Sequence, residues 1–549
     1  MKILFLYFNT LKYLKPIQVM FRIKKYLFPA RYVHYGSFPN IRQFPINFKL
    51  SNKIETYNFK NKEFSFINLK KKLSSNDWTA SEMPKLWIYN LHYFDFINSK
   101  NSLEFKNSSL NLIKDWITFN KSTIGLEPYP SSLRIVNWVK WLQRNKIKNL
   151  DIALSLANQT RHLVKNIEYH LLGNHLFTNA KALIFSGLYF KSDESDKWLN
   201  KGIEILKNEM NEQILEDGGS FELSPMYHAI LLEDLLDIFY MLKKNNRENI
   251  EIYNLIQEKV KSMLVWIESM SHPDGEISFF NDCAFGISKN YSELFNLAVS
   301  MGIEDIPQKI CYISNDLNCN ILDASGYVSV NSKIFSAILD VAKVGPDYIP
   351  GHAHADTLSF ELSIYNERMF VNGGTSTYED DESRYSERST SSHNTLELNG
   401  RNSSEVWSSF RVARRAKPQN LQLNENGSCI EISCEHDGYS NLDGDPLHKR
   451  TWVFSKNKMT IKDEILTFNK EVSHTSKIRF RVHPNISVIH SSKNTYKLTT
   501  NGKEVLFIVK DRHSFLDESL YATEFNKKVK SKTICIETLS NSSEVEIIF

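Results

Sequence analysis

The two halves of this 549-residue chain carry different hydrophobic periodicities, and that change limits the folds open to it. From about residue 80 to 310, apolar residues recur at helical spacing, as in 133–142, 180–185 and 231–239. After about residue 320, short apolar segments between turn residues predict strands, at 327–330, 335–339, 358–362, 460–465 and 545–549. Helices and strands segregated in this way predict an α domain followed by an antiparallel β-sandwich.

We divide the chain into three regions on this pattern. Residues 1–75 form an N-terminal extension, residues 76–315 a helical domain and residues 316–549 the β-sandwich. The length exceeds what one hydrophobic core supports, which also predicts a multidomain protein. The segregation of helices and strands places it in the α+β class.

The charge and cysteine content exclude some functions. The chain has 67 basic and 63 acidic residues and a net charge of +4, without the dense basic stripe of a nucleic-acid-binding protein. None of its six cysteines forms a CxxC pair, so neither a zinc–thiolate site nor a disulfide framework is predicted. A local positive cleft for an anionic substrate remains compatible with this charge.

The N-terminal sequence bears on where in the cell the protein is expected. Residues 1–8 are apolar after Lys2, but the run is short and no small-residue cleavage site follows, so no clear signal peptide is predicted. No apolar run is long enough to span a bilayer. A basic amphipathic segment near residues 11–28 could touch a membrane surface, although packing on the main domain is the commoner outcome. We expect a bacterial protein, monomeric or homodimeric, in the cytoplasm or peripheral to a membrane, with the periplasm left open.

The segment 351–356, Gly-His-Ala-His-Ala-Asp, concentrates potential chemistry. In a strand, His352 and His354 would point to one face. Paired imidazoles suit metal binding, proton transfer or neutralisation of an anion. His393 follows in a Ser-His-Asn-Thr sequence, 39 residues after His354.

Two further clusters lie in the helical half. Asn174 and His175 stand between helical stretches, where they either donate to an anion or serve as a helix cap and a packed ring. Tyr227 follows Glu222 in a loop that begins Asp217-Gly-Gly. A nearby cation would let Tyr227 transfer a proton, whereas a structural tyrosine at a helix contact is the commoner case.

A third cluster lies between His354 and His393. It is rich in Ser, Arg and Tyr and includes Tyr378, Arg384, Tyr385 and Arg388. Such side chains suit hydroxylated, anionic material, and a solvated loop is the alternative.

Together these clusters resemble the heparinase II/III family of polysaccharide lyases and the related alginate lyases. The motifs occur in order along most of the chain: Asn-His, Glu-x-Ser-Pro-x-Tyr-His, His-x-His-x-Asp and His-Asn-Thr. Residues 127–138 and 407–412 also resemble the family's helical and β domains. The resemblance implies an incomplete (α/α) toroid followed by an antiparallel β-sandwich.

The resemblance also implies β-elimination at a uronic acid, a reaction that needs neutralisation of an enolate-like anion, a base and an acid. Asn174, alone or with His175, would hold the uronate carboxylate. Tyr227 would be the general acid, and also the base if both act on one side of the ring. His352 would be the second proton-transfer or neutralising group. The expected substrate-binding residues are Arg134, Glu222, Tyr378, Tyr385 and Arg388.

A metal site is implied on the β domain. By the resemblance, one divalent ion, zinc or similar, would be held by His354, His393 and the position of Asn372, and would have a structural role. A neutral amide is a poor substitute for a carboxylate on Zn²⁺. Asp356 is an alternative donor.

The leading hypothesis is a lyase that cleaves an acidic, uronate-containing polysaccharide, in bacterial surface-polysaccharide production or turnover. One alternative is a glycoside hydrolase, which needs two opposed carboxylic acids, with Glu222 and Asp217 as the best candidates. The other is a non-catalytic carbohydrate-binding or assembly protein.

Overall fold

The structure is a computed structural model that describes residues 2–42, 46, 48, 56–74, 77–120, 122–307, 312–314, 316–467, 472–510 and 513–549. Its α-helices are α1 (Lys2–Leu11), α2 (Pro16–Leu27), α3 (Lys85–Tyr93), α4 (Lys106–Phe119), α5 (Pro128–Asn145), α6 (Leu150–Lys165), α7 (Gly173–Tyr189), α8 (Asp193–Gln213), α9 (Pro225–Lys244), α10 (Glu251–Ser269), α11 (Tyr291–Ser300) and α12 (Glu382–Glu387). The three stretches predicted as helical lie in α5, α7 and α9.

The strands before the sandwich are β1 (Asn40–Ile41), β2 (Tyr57–Asn58), β3 (Glu63–Phe66), β4 (Leu69–Lys72) and β5 (Phe190–Lys191). The strands that follow are β6 (Tyr312–Ser314), β7 (Leu317–Leu322), β8 (Tyr327–Asn331), β9 (Phe335–Asp340), β10 (Phe360–Ile364), β11 (Glu367–Phe370), β12 (Leu396–Leu398), β13 (Val406–Trp407), β14 (Arg411–Val412), β15 (Pro418–Asn426), β16 (Cys429–His436), β17 (Leu447–Ser455), β18 (Lys458–Leu466), β19 (Ser476–Val482), β20 (Ser487–Ser492), β21 (Thr495–Thr500), β22 (Lys503–Lys510), β23 (Ser514–Glu524), β24 (Lys527–Thr538) and β25 (Ser542–Ile548).

Helix α7 is the centre of the helical domain. From Leu176 to Tyr189 every one of its residues is buried, and it packs against α5, α6, α8 and α9. A helix buried on all sides lies in a core, and its buried Lys181 is paired there with Asp234 and Asp237. Only its first turn, at Asn174 and His175, reaches the surface of this core. The central helix therefore holds these two residues at a fixed position.

Two antiparallel sheets form the β domain. One runs in the order β23-β24-β19-β11-β10-β9-β8-β7-β6, with β12 also paired to β19, and the other in the order β15-β16-β17-β18-β25-β22-β21-β20. Side chains of β17 alternate between buried and half-buried, as expected for a strand with one face in a core. Rings from opposite sheets meet there, as Phe335 does with Phe454 and Phe370 with Phe507. The architecture is thus an incomplete (α/α) toroid followed by an antiparallel β-sandwich, as predicted.

The predicted N-terminal extension is partly integrated into the helical domain. Strand β1 pairs with β5, and the small β2-β3-β4 sheet buries Phe64 and Phe66 in the helical core. Helices α1 and α2 lie outside that core, and many of their apolar side chains are exposed. Residues 43–45, 47 and 49–55 of this region lie outside the described residues.

The segment that carries His352 and His354 is a loop, so the condition under which both side chains would point to one face of a strand is not met. Residues 341–359 contain neither helix nor strand, and β10 begins only at Phe360. The loop is held by a different set of hydrogen bonds: the Asp282 N–H donates to the His352 carbonyl, and the His354 N–H donates to Asn281 Oδ1. These hydrogen bonds hold the loop in place without a neighbouring strand.

Candidate active site

The site lies where the two domains meet. Helix α7 supplies Asn174 and His175, and the first turn of α9 supplies Tyr227. The 341–359 loop of the β domain supplies His352, and Tyr378 comes from the segment before α12. All five of these side chains are half-buried. They are polar groups at an interdomain junction, a common place for a ligand site.

The chain entering α7 has an unusual conformation. Leu172 has φ 68° and ψ −157°, a region that costs about 1–3 kcal/mol for a residue with a side chain. Gly173 also has positive φ, and a Cβ there would lie 3.1 Å from Glu222 Oε1. Glycine thus lets Glu222 approach the helix start, where Asn174 donates its backbone N–H to Glu222 Oε1 over 3.4 Å.

Glu222 connects the two sides of the site. Its Oε1 faces the start of α7, and its Oε2 lies 3.4 Å from His352 Nε2. The side chain is 3% exposed, and burial raises its pKa even though His352 acts to lower it. Glu222 is thus a buried group between Asn174 and His352 rather than a side chain on an open surface.

Tyr227 is held by its helix start and by two aromatic neighbours. Ser224 caps α9 by accepting the Tyr227 N–H at 3.2 Å. The Tyr227 ring stacks on the His352 imidazole, with centroids 3.8 Å apart, and its hydroxyl lies 2.9 Å from that of Tyr378. Burial, followed by the contact with Tyr378, raises the pKa of Tyr227 well above its usual range. Tyr227 therefore keeps its proton and can donate it.

Asp282 is the centre of the charged part of the site. Its carboxylate lies 2.9 Å from His352 Nδ1 and 2.9 Å from His354 Nε2, and Arg384 donates to both of its oxygens. Burial alone would raise the Asp282 pKa, but Arg384 and the two histidines hold it well below its usual range. An ionised carboxylate only accepts hydrogen bonds. It therefore fixes a proton on His352 Nδ1 and leaves His352 Nε2 as the basic atom.

His175 has an acidic partner of its own. Its Nδ1 lies 3.1 Å from Glu168 Oε1, while Asn179 donates to Glu168 Oε2 over 3.0 Å. Burial tends to lower the His175 pKa, but Glu168 outweighs it and the pKa is raised. His175 is therefore cationic to a higher pH than a free histidine, which suits contact with a carboxylate.

A row of half-buried tyrosines leads away from His175. Tyr129 is 4.5 Å from the His175 ring between centroids, and Tyr93 and Tyr89 lie 6.0 and 6.5 Å from Tyr129. Partly exposed rings with polar hydroxyls provide flat amphipathic surfaces for a sugar. Composition gave no reason to single out these residues among 24 tyrosines.

Three buried side chains could hold a metal ion. His354, Asp356 and His393 each place a potential ligand atom within 4.8 Å of the others. His354 Nδ1 and His393 Nε2 are 3.2 Å apart, close to the roughly 3.3 Å expected for two nitrogens on one tetrahedral zinc. The other nitrogen of His354 donates to Asp282, the carboxylate support that ligating histidines usually have. Two imidazoles and a carboxylate thus fit a divalent ion, with Asp356 as the acidic ligand.

Asn372 does not need to be a ligand in this arrangement. Its Oδ1 accepts the Asn394 N–H over 3.3 Å, and its own N–H donates to Glu361 Oε1 over 2.7 Å. The side-chain nitrogen is buried without a hydrogen-bond partner among the described residues. An amide with its oxygen already engaged is a weaker candidate than the Asp356 carboxylate.

Two arginines expected to bind substrate are enclosed by protein, which corrects that expectation. Arg134 is fully buried and donates to Gln159, to the His92 carbonyl and to Ser131. Arg388 is 1% exposed and donates to the carbonyls of Ala353, Ser408 and Arg411. Their donors hold loops and helices in place, so neither guanidinium is presented to a ligand.

Tyr378, Tyr385 and Asp217, the other residues considered for the site, have different surroundings. Tyr378 is within the site through its contact with Tyr227, whereas Tyr385 is 43% exposed and donates to Asp380 at the surface. Asp217, the proposed partner of Glu222 in a hydrolase pair, accepts the backbone N–H and hydroxyl of Ser325 over 2.7 Å each. Asp217 is thus a structural acceptor and does not oppose Glu222 across a cleft.

Sequence reasoning missed Asp282, Glu168 and the role of Arg384. Asp282 lies in Phe-Phe-Asn-Asp-Cys, a segment with no recognisable spacing to the histidines 70 and 72 residues later. Only the fold brings these groups together. Arg384 was within the predicted cluster, but nothing in that cluster indicated that its partner would be a buried carboxylate.

The fold and this site together define a protein built as an (α/α) toroid joined to a β-sandwich, with Asn, His and Tyr at the junction. The N-terminal domain model of heparinase II/III matches residues 81–301, and the C-terminal, heparinase II/III-like domain model matches residues 318–548. The chain belongs to the heparinase II/III family.

Curated and solved relatives agree with this placement. A heparin-sulfate lyase of Bacteroides stercoris is 26% identical over 338 residues, covering 57% of this chain and 47% of the relative. One of Pedobacter heparinus is 27% identical over 302 residues, covering 52% and 43%. The chain thus spans about half the length of the curated relatives it matches. A crystal structure of heparinase III has a TM-score of 0.67 at 19% identity, covering 87% of this chain and 78% of that one, which shows the shared fold.

Proposed function

We infer that this protein is a polysaccharide lyase that cleaves a uronate-containing chain by β-elimination. The observation that carries this proposal is the Tyr227–His352 pair: a phenol that keeps its proton stacks on an imidazole whose basic nitrogen is set by Asp282. An acid and a base side by side are what an elimination without water or redox chemistry requires. The heparin-sulfate lyases among the relatives support the same class of reaction.

The reaction can be written from this geometry. A base, His352 Nε2 in our assignment, takes the proton from C5 of the uronate, and the electron pair forms the C4–C5 double bond. The C4–O bond breaks, and the leaving sugar oxygen takes its proton from Tyr227. Asn174 and cationic His175, at the start of α7, would bind the carboxylate on which negative charge develops. The helix N-terminus adds to that stabilisation.

The substrate class follows from the surroundings of the site. His175 favours a carboxylate, and the row formed by Tyr129, Tyr93 and Tyr89 offers rings on which neighbouring sugars can stack. We therefore propose an acidic polysaccharide as substrate, with the chain passing along these tyrosines.

His354, Asp356 and His393 would hold one divalent ion, zinc or similar. When bound, the ion would supply charge that keeps the Asp356 carboxylate ionised, since burial raises the pKa of that group. The residues themselves fix the loop behind His352, and none of them takes part in a proton transfer.

The decisive experiment measures ultraviolet absorbance of the unsaturated uronate product over a panel of acidic polysaccharides. We expect product from at least one uronate polymer and none after Tyr227→Phe. Binding of a polymer without product from any of them would instead favour a non-catalytic carbohydrate-binding protein. Reducing ends that appear without the absorbance would indicate a hydrolase, a function that the structural role of Asp217 disfavours.

A further inference from the structure

The first two helices present apolar side chains to solvent. Roughly half of the large apolar side chains that are exposed in the described part of the chain lie within residues 3–35. In α1 these include Leu4, 71% exposed, and Phe8, 67% exposed. In α2 they include Ile23 at 55% and Leu27 at 58%. Exposed apolar patches of this density usually mark an interaction surface.

Helix α2 packs on the protein through a mixed face and leaves a separate apolar stripe exposed. Ile17 packs against the helical core, and the Phe21 ring lies 4.8 Å from that of Tyr169. Gln18 donates to the carbonyls of Leu171 and Tyr348, and exposed Arg22 donates to the His170 carbonyl. The stripe at 19, 20, 23, 26 and 27, which follows helical spacing, faces outward and is exposed. These apolar contacts and hydrogen bonds together dock α2 onto the protein and leave the outward stripe exposed to solvent.

Helix α1 is oriented in the same way. Thr10 accepts the indole N–H of Trp407 over 3.1 Å, and Tyr7 meets the Trp407 ring edge-on at 5.0 Å. The side chains at 3, 4, 5, 8 and 11 are exposed. Both helices, which we name the N-terminal hairpin (residues 2–27), are thus fixed to the protein through their inner faces.

The charge carried by the N-terminal segment itself has one sign, and Lys15 is paired with Glu212 of α8. Residues 1–54 contain ten Lys and Arg residues and no Asp or Glu, and the first acidic residue is Glu55. Lys24 and Lys25 flank the exposed stripe of α2. A basic helix with an exposed apolar face is suited to lie in the interface of an anionic bilayer. No helix among the residues that the structure describes has the length and apolar character needed to cross a bilayer.

We propose that the N-terminal hairpin docks this protein onto a membrane surface rich in anionic phospholipid, with the apolar faces of α1 and α2 inserted at the level of the headgroups. Gln18 of the hairpin contacts the carbonyls of Leu171 and Tyr348, which lie shortly before Asn174 and His352 in the chain. The bound protein would therefore hold its catalytic cleft beside the bilayer. This proposal does not depend on the lyase activity.

Flotation of the full-length protein with lipid vesicles tests the proposal. We expect binding to vesicles of phosphatidylcholine mixed with phosphatidylglycerol, weaker binding to phosphatidylcholine alone, and a decrease as salt is added. The variant L4S/F8S/I23S/L27S should lose at least about tenfold in vesicle affinity, since it removes four of the inserting side chains. Its activity on a soluble polymer should not change, because none of these residues is in the site.

A matched control replaces exposed apolar residues of the β-sandwich. The variant I489S/L520S/L539S alters side chains that are 55%, 52% and 68% exposed and should bind vesicles like the unmodified protein. Equal loss in both variants, or binding that ignores lipid charge, would overturn the proposal. The proposal would also be overturned if the unmodified protein did not bind vesicles and light scattering showed it to be a dimer that the hairpin substitutions dissociate. Circular dichroism of each variant verifies that it is folded.

Discussion

His352 Nδ1 lies 2.9 Å from Asp282 Oδ2, and this contact gives the His-x-His motif its orientation. The other carboxylate oxygen lies 2.9 Å from His354 Nε2, so one buried acid aligns both imidazoles. The two histidines thus have different surroundings: His352 faces the cleft beside Tyr227, and His354 is fully enclosed next to His393.

Replacement of Asp282 tests this alignment. Asp282→Asn should lower kcat by roughly 10²–10⁴-fold with little change in KM, because an amide no longer fixes the proton on His352 Nδ1. Stability should also fall, by about 3–5 kcal/mol, since buried Arg384 loses its carboxylate. Steady-state kinetics on the folded fraction and thermal unfolding measure the two effects.

The β-sandwich offers a matched control for that variant. Asp463 is a buried acid that likewise accepts from a histidine, His448, and from an arginine, Arg450. Asp463→Asn should destabilise the protein to a similar degree and leave kcat of the folded protein near its original value. An equal loss of kcat in both variants would show that Asp282 acts only through stability.

The hydroxyl of Tyr227 should be needed for turnover. Tyr227→Phe keeps the ring stacked on His352 but removes the proton donor, and we expect kcat to fall by roughly 10²–10⁴-fold. Tyr365→Phe, in the turn between β10 and β11, is the control and should behave like the unmodified protein. Turnover by Tyr227→Phe at the original rate would show that Tyr227 is not the general acid.

The pH dependence of substrate affinity should follow His175. Its pKa is raised by Glu168, so the cation that attracts the uronate is present below that pKa and is lost as pH rises through it. The stability from protonated His175 is present below its unfolded-state pKa and declines as pH rises through its raised folded-state pKa. The pKa of Glu168 is lowered, so the contribution of the pair is lost again as pH falls through that folded-state pKa.

Glu168→Gln should shift this loss of affinity to lower pH, because it removes the anion that holds the proton on His175. The dependence of KM on pH and an NMR titration of the His175 ring measure the shift. Superimposable KM profiles for the two proteins would show that His175 does not bind the substrate as a cation.

The metal hypothesis has a test that does not depend on activity. Purified protein exposed to zinc should retain about one equivalent after dialysis, and the ion should raise Tm. Asp356→Asn should reduce both effects, whereas Asp340→Asn, a change at another buried acid close to Asp356, should not. Far less than one equivalent in the unmodified protein would leave His354 and His393 as a hydrogen-bonded pair.

The sequence predicted the architecture because periodicity is a local property. The apolar spacing in α5, α7 and α9 and the turn-bounded strands β8 and β9 could be read without any long-range information. Local pattern did not determine the conformation at 351–356, where two histidines alternate with alanines. There the partner groups, Asn281 and Asp282, come from a distant loop and hold the segment in an irregular conformation.

The sequence by itself determined the order of the two domains, the family motifs and the residue types that could bind or protonate an anion. The tertiary structure alone decided which of them meet. It enclosed Arg134 and Arg388 in protein, brought Asp282 to His352 and His354, and turned the apolar faces of α1 and α2 toward solvent. The reason is physical: the pKa, accessibility and partner of a side chain depend on groups far away in the chain, and local patterning carries no information about them.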